Sequence, residues 1–138
     1  MKKQTGIWLD SKEAFLVDII GETVEVRHLV SEVDDGRTHG GSRSNVPYGP
    51  MDVHSDTKIL ERRKQQFHYY FEEIKKAVAD SAEIFLFGPS EAKIGLEKAM
   101  REDHSFLPGL LAVQTSDSLT RNQLVAHVRA FFKMAETV

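Results

Sequence analysis

There is no cysteine in these 138 residues, which removes disulfides, thiolate metal sites and a cysteine nucleophile together. A reducing compartment fits that absence. Long apolar runs are missing too: nothing approaches the roughly 18 consecutive apolar residues needed to cross a bilayer. The amino end, MKKQTGIWLD, has two lysines and then passes into polar residues, without the apolar core or cleavage pattern of a signal peptide. The expectation is a cytoplasmic protein with no membrane partner. Internal repeats and low-complexity segments are also lacking.

What is present describes one soluble globular domain, 1–138. Charged residues make up 28% and apolar ones 41%, a balance that can close a single core. The net charge of -3 argues against a protein that coats nucleic acid, but its distribution is uneven. From Arg37 to His68 stand six basic side chains, Arg37, Arg43, Lys58, Arg62, Arg63 and Lys64, against three acidic ones, Asp52, Asp56 and Glu61. That window is +3 and the rest of the chain is -6.

Strands open the chain. Gly6 to Leu9 and Ala14 to Ile20 are apolar runs, and Thr23 to Leu29 follows a Gly21-Glu22 turn suited to a tight hairpin. Val24, Val26 and His28 alternate with Thr23, Glu25 and Arg27, as in a half-buried strand with His28 at its wet end. Periodicity then lapses from about 31 to 55. This stretch holds four of the nine glycines and two of the four prolines, and reads as a long loop of the kind that carries function.

A helix is expected from Ser55 or Asp56, with Leu60, Phe67, Phe71, Ile74 and Val78 as its inward stripe and Arg62-Arg63-Lys64 mostly outside it. Ile84 to Phe87 reads as a buried strand ended by Gly88-Pro89. Ser90 can cap a helix reaching about Glu102, with Ile94 and Met100 inward. Leu110 to Val113 is a second short buried strand. Thr120 and Gln123 form a capping box for a last helix with Leu124, Val128, Phe131 and Ala135 inside. Hairpin strands followed by strands alternating with helices predict an α/β fold: a ribonuclease H-like mixed five-stranded sheet, three antiparallel strands then two parallel, with three helices.

Inside the loop lies THGGSR. Adjacent glycines permit positive φ and close approach of bare backbone to a crowded surface. Arg37, His39 and Arg43 flank them, and Arg62, Arg63 and Lys64 follow on the helix, a combination that favours phosphate contact over a merely solvated face. Tyr48 could stack on a base. Other chemistries fit less well. His39, Asp52 and His54 match no zinc spacing. Nothing orients Ser42, His39 and Asp52 as a triad. GPSEAK lacks the second glycine and the Lys-Ser/Thr ending of a phosphate loop. No metal or other cofactor is expected. A ribonuclease H-type nuclease would need converging carboxylates, and only Asp10 with Glu72 or Glu73 offer themselves.

Four stretches, GIWLDSKEAFLV, HGGSRS, ERRKQQFHYYFEEIKKAV and IFLFGPSEAK with the later QTSDSL, give the chain a resemblance to the central domain of the eukaryotic and archaeal class I peptide-chain release factors. It is similar also to Pelota-type rescue factors and the small stand-alone bacterial members of that superfamily. The resemblance implies a ribosome or tRNA partner and a loop, Gly40, Gly41 and Ser42, that enters the peptidyl-transferase centre. In the family a glutamine follows the two glycines and assists water attack on the peptidyl-tRNA ester. Ser42 stands there instead, which weighs against hydrolysis. Codon-reading and partner-binding domains have no counterpart in 138 residues. A protein-interaction module without an RNA partner is the alternative reading.

Overall fold

The computed structural model describes residues 2–33, 49–89 and 91–137, with side chains from 57 onward in the first helix and up to 135 in the last. Eight elements follow one another: β1 (Lys3–Leu9), β2 (Glu13–Ile20), β3 (Thr23–Val30), α1 (Gly49–Ala77), β4 (Glu83–Gly88), α2 (Ala92–Glu102), β5 (Gly109–Thr115) and α3 (Arg121–Thr137). The strands form one sheet in the order β3-β2-β1-β4-β5. β1 pairs antiparallel with β2, and β2 with β3, while β4 lies parallel to both β1 and β5. The expected ribonuclease H-like α/β architecture is therefore present, with its mixed sheet and three helices.

Period-two alternation sorts the side chains into two cores. Ile7, Leu9, Ala14, Leu16, Ile84 and Leu86 face α1 and α2, where they meet Tyr70, Ile74, Val78, Leu96 and Met100. Trp8, Val17, Ile19, Phe85 and Phe87 face α3 and pack on Leu124, Val128 and Phe132. β4 is apolar on both sides because it lies between helices on both faces. β3 is covered less completely, so Val24 and Val26 are half-buried and His28 is exposed. The hairpin between β2 and β3 turns at Gly21, whose φ of 60° lies in the left-handed region.

Several expected inward residues are displaced. Leu60 is 66% exposed, and Tyr70, not Leu60, completes the α1 core stripe. The Tyr70 phenol donates to the Asp10 carbonyl oxygen at 3.0 Å, so its polar tip is satisfied at the sheet's edge. Burial, followed by the Asp10 and Glu13 carboxylates, pushes that phenol's pKa upward. Ile94 is 52% exposed, and Leu96 takes the inward role beside Met100. Ala135 is exposed and Phe132 buried. β5 extends beyond the expected Leu110–Val113 and is an edge strand, with Leu111 facing solvent.

The expected helix start is also corrected. α1 begins at Gly49, not at Ser55 or Asp56. Pro50 explains the earlier start, because a first helical turn neither needs its missing N–H nor resists its fixed φ. Ser90, expected as the α2 cap, lies outside the described residues; Glu91 occupies the N-cap position with no side-chain cap bond. At α3 the capping box is formed as expected. The Thr120 amide donates to Gln123 Oε1 at 2.9 Å, and the Gln123 amide donates to Thr120 Oγ1 at 3.2 Å.

Candidate nucleic-acid interface

Because β3 runs parallel to β1, it ends at the carboxyl edge of the parallel strands, and α1 must descend from that edge to reach the start of β4. α2 leaves the carboxyl end of β4 and descends beside it. The 29 residues of α1 span about 44 Å at 1.5 Å each, which exceeds the length of the neighbouring strands. Tyr70 marks the sheet's edge through Asp10, so the first half of α1 overhangs it. Lys58, Arg62 and Lys64 are all solvent-exposed along this overhang.

Successive helical residues point about 100° apart, so the basic triplet cannot act as one row. Arg62 lies one turn from Lys58 on the outer face. Arg63 turns the other way: its guanidinium carbon stands 5.6 Å from the Phe67 ring centre, a cation–π distance, and its buried Nε has no hydrogen-bond partner. Lys64 points toward α2. Two of the three expected side chains are thus free to meet a polyanion, while Arg63 is largely engaged by the protein. Lys58 belongs with Arg62, and the i, i+4 spacing of the two was the available sequence signal.

Between α1 and α2 an open groove of about 500 Å³ is lined by Phe67, Phe71, Gly95 and Ala99, with Lys64 and His68 on its α1 wall. Phe71 lies directly over Gly95: a Cβ there would stand 2.8 Å from the ring. Absence of a side chain at Gly95 lets the helices approach and sets the groove's depth. Glu91, Lys98 and Glu102 stand along the α2 wall. Composition alone gave no indication of this feature.

Gly40, Gly41, Ser42, Arg37, His39, Arg43 and Tyr48 lie outside the described residues. Asp52 and His54 do not share a loop with His39; their backbone belongs to α1. Among the described residues no cluster of three or more His, Asp or Glu could hold a metal ion. Two of the three nuclease candidates, Asp10 and Glu72, are otherwise engaged, and Glu73 is exposed. Asp10 Oδ1 accepts from the amides of Lys12 and Glu13 at 2.8 and 2.9 Å, forming the β1–β2 turn, and Glu72 pairs with Lys75 at 3.0 Å. No described helix is long and apolar enough to cross a membrane.

No family model matches the sequence, and no curated protein matches it. Among solved structures, the chain is similar to the archaeal translation termination factor aRF1, at 15% identity and a TM-score of 0.49, over 96% of this chain and 40% of that one. It is also similar to a Ppx/GppA family member from Aquifex aeolicus, at 10% identity and a TM-score of 0.39, over 80% of this chain and 35% of that one. The chain spans less than half the length of either.

Proposed function

We propose that this protein is a relative of the release-factor central domain that binds the ribosome or tRNA. In this reading the Gly40-Gly41 pair brings backbone close to RNA, and Arg37, His39, Arg43, Arg62 and Lys64 hold phosphates, with Arg63 supporting them from its seat on Phe67. The observation that carries the reading is the outer row of α1. Lys58 and Arg62 are exposed and one turn apart on a helix that overhangs the sheet, and the glycine pair precedes that same helix in the chain. The motif resemblance supplies the partner's identity and a role in ribosome rescue or peptidyl-tRNA release, with Ser42 weighing against the hydrolytic step itself.

Ribosome co-sedimentation across a salt series tests this. Each lost phosphate contact should flatten the dependence of log K on log salt by about one unit. Lys58→Glu/Arg62→Glu changes only exposed side chains, so its fold should persist while its binding falls at every salt concentration. Unchanged binding would remove the reading. Hydrolysis is tested on a ribosome loaded with peptidyl-tRNA by comparing wild type with Gly41→Ala; equal rates would exclude a role for the loop. Release gained by Ser42→Gln would show that Ser42 is the limitation.

A further inference from the structure

The apolar positions of α1 continue beyond the part of the helix that the sheet covers. Leu60, Phe67, Phe71, Ile74 and Val78 fall on a 4-3-4-3 heptad stripe that Lys64 completes. Ile74 and Val78 are fully buried, Phe67 and Phe71 are partly buried, and Leu60 is 66% exposed. Ile59 beside it is 36% exposed. The stripe therefore runs out of the core, past the mouth of the groove between α1 and α2, and ends on an uncovered leucine. A long helix that carries an exposed leucine on the line of its core stripe, one heptad beyond Phe67 with Lys64 between them, has a surface suited to packing on another helix.

We infer that a second copy of this chain covers it, with the overhanging parts of the two α1 helices packed antiparallel about a twofold axis. Charge selects this occupant. An antiparallel pair centred between residues 61 and 64 sets Glu61 of each copy opposite Lys64 of the other, so twofold symmetry makes the attractive contact twice. In the same register Leu60 lies over the aliphatic stem of the second copy's Lys64 and reaches toward Phe67 at the groove's upper end. The groove walls do not favour a strongly charged ligand, since Lys64 and Lys98 are matched by Glu91 and Glu102. The overlap is only a few helical turns, so the association is a weak, reversible one.

Sedimentation velocity of the full chain without RNA, over a wide concentration range, reads this directly. The weight-average mass should rise from monomer toward dimer. Leu60→Glu should weaken association by at least about tenfold, since a leucine's burial is lost. At concentrations where wild type is monomeric its melting temperature should not change, because the side chain is exposed in the monomer. Glu61→Lys and Lys64→Glu should each weaken the dimer, and Glu61→Lys/Lys64→Glu should restore it. A wild type that stays monomeric throughout, a Leu60→Glu variant that associates like wild type, or a double reversal that fails to recover would each overturn the inference. Ribosome binding is read separately through Lys58 and Arg62, so neither result stands in for the other.

Discussion

Gly6 and Val128 offer the sharpest test of how the sheet and α3 are fitted together. Gly6 lies in β1 between two strands, and α3 crosses it so closely that an added Cβ would stand 2.3 Å from Val128 Cγ2 and 2.7 Å from Cγ1. No real carbon pair sits that close, so Gly6→Ala must push α3 outward or force Val128 off its rotamer. Overpacking of this kind costs about 1–3 kcal/mol, less the roughly 0.5–1 kcal/mol that alanine gains over glycine within a strand. Val128→Ala alone removes two buried methyl groups and costs about 2–3 kcal/mol as transfer plus cavity. In Gly6→Ala/Val128→Ala the new methyl enters the space the old ones leave. The double variant should therefore be more stable than the sum of the single effects predicts, by about 1–2 kcal/mol. Urea unfolding followed by fluorescence reads this cleanly, because Trp8, the one tryptophan, is 3% exposed and packs in the same core. Additive single effects would refute the argument, and so would a Gly6→Ala variant more stable than wild type.

Three further outcomes follow from other parts of the molecule. Asp18, with its side chain 4% exposed, accepts from Arg27 Nε at 2.7 Å, Arg27 Nη2 at 3.0 Å and Thr5 Oγ1 at 2.8 Å; Arg27→Ala leaves that carboxylate with Thr5 and, at 3.9 Å, Lys3 Nζ, and should lower the unfolding free energy by about 2 kcal/mol, below the cost for a fully buried pair because Arg27 is partly solvated, and an unchanged urea midpoint would contradict it. Lys75, whose amine is drawn down by burial but raised overall by hydrogen bonds to Asp103 and Glu72, together with Ser105 holds the Asp103 carboxyl down from 3.8 to about 2. This contribution is present above pH 3.8 and is lost as pH falls toward about 2, and on the alkaline side it is full below 10.5 and lost as pH rises through the raised Lys75 value; a urea-midpoint profile for Asp103→Asn that drops through the acid window as steeply as wild type would contradict it. Thr120→Ala removes one half of the α3 capping box and should cost about 1 kcal/mol, checked by the shift in melting temperature.

The order of elements was legible in the sequence because each strand and helix carries its own period, and the two cores follow directly from alternation in β1 and β4. Particular side chains were less legible where geometry beyond the element decides. Tyr70 reads as polar beside Phe71, yet its hydroxyl finds the Asp10 carbonyl and its ring enters the core. Leu60 matches the helical period but lies past the end of the sheet, and no local pattern reports where the neighbouring strands stop. Ile94 and Leu96 compete within one helix, and contact with β4 and α1 settles which turns inward. Of the proposed site, the exposure of Arg62 and Lys64 was foreseen, whereas the loss of Arg63 to Phe67 was not, because a run of three cations carries no sign of which member the ring will take.

That same run shows how one helix can present different chemistry on each side. At 100° per residue, Arg62 faces outward with Lys58, Arg63 lies toward the core stripe, and Lys64 enters the seam that Leu60 extends. A polyanion approaching the outer row and a second helix approaching the seam would therefore meet different side chains of one element. They share only Lys64, which the outer row can spare because Lys58 and Arg62 remain. Self-association through Leu60 would then leave Lys58 and Arg62 exposed, and the dimer would carry two such rows. In that register both rows lie near the twofold axis but on the outer faces of the two helices, turned away from the seam and from each other, so a single RNA segment would engage one row at a time.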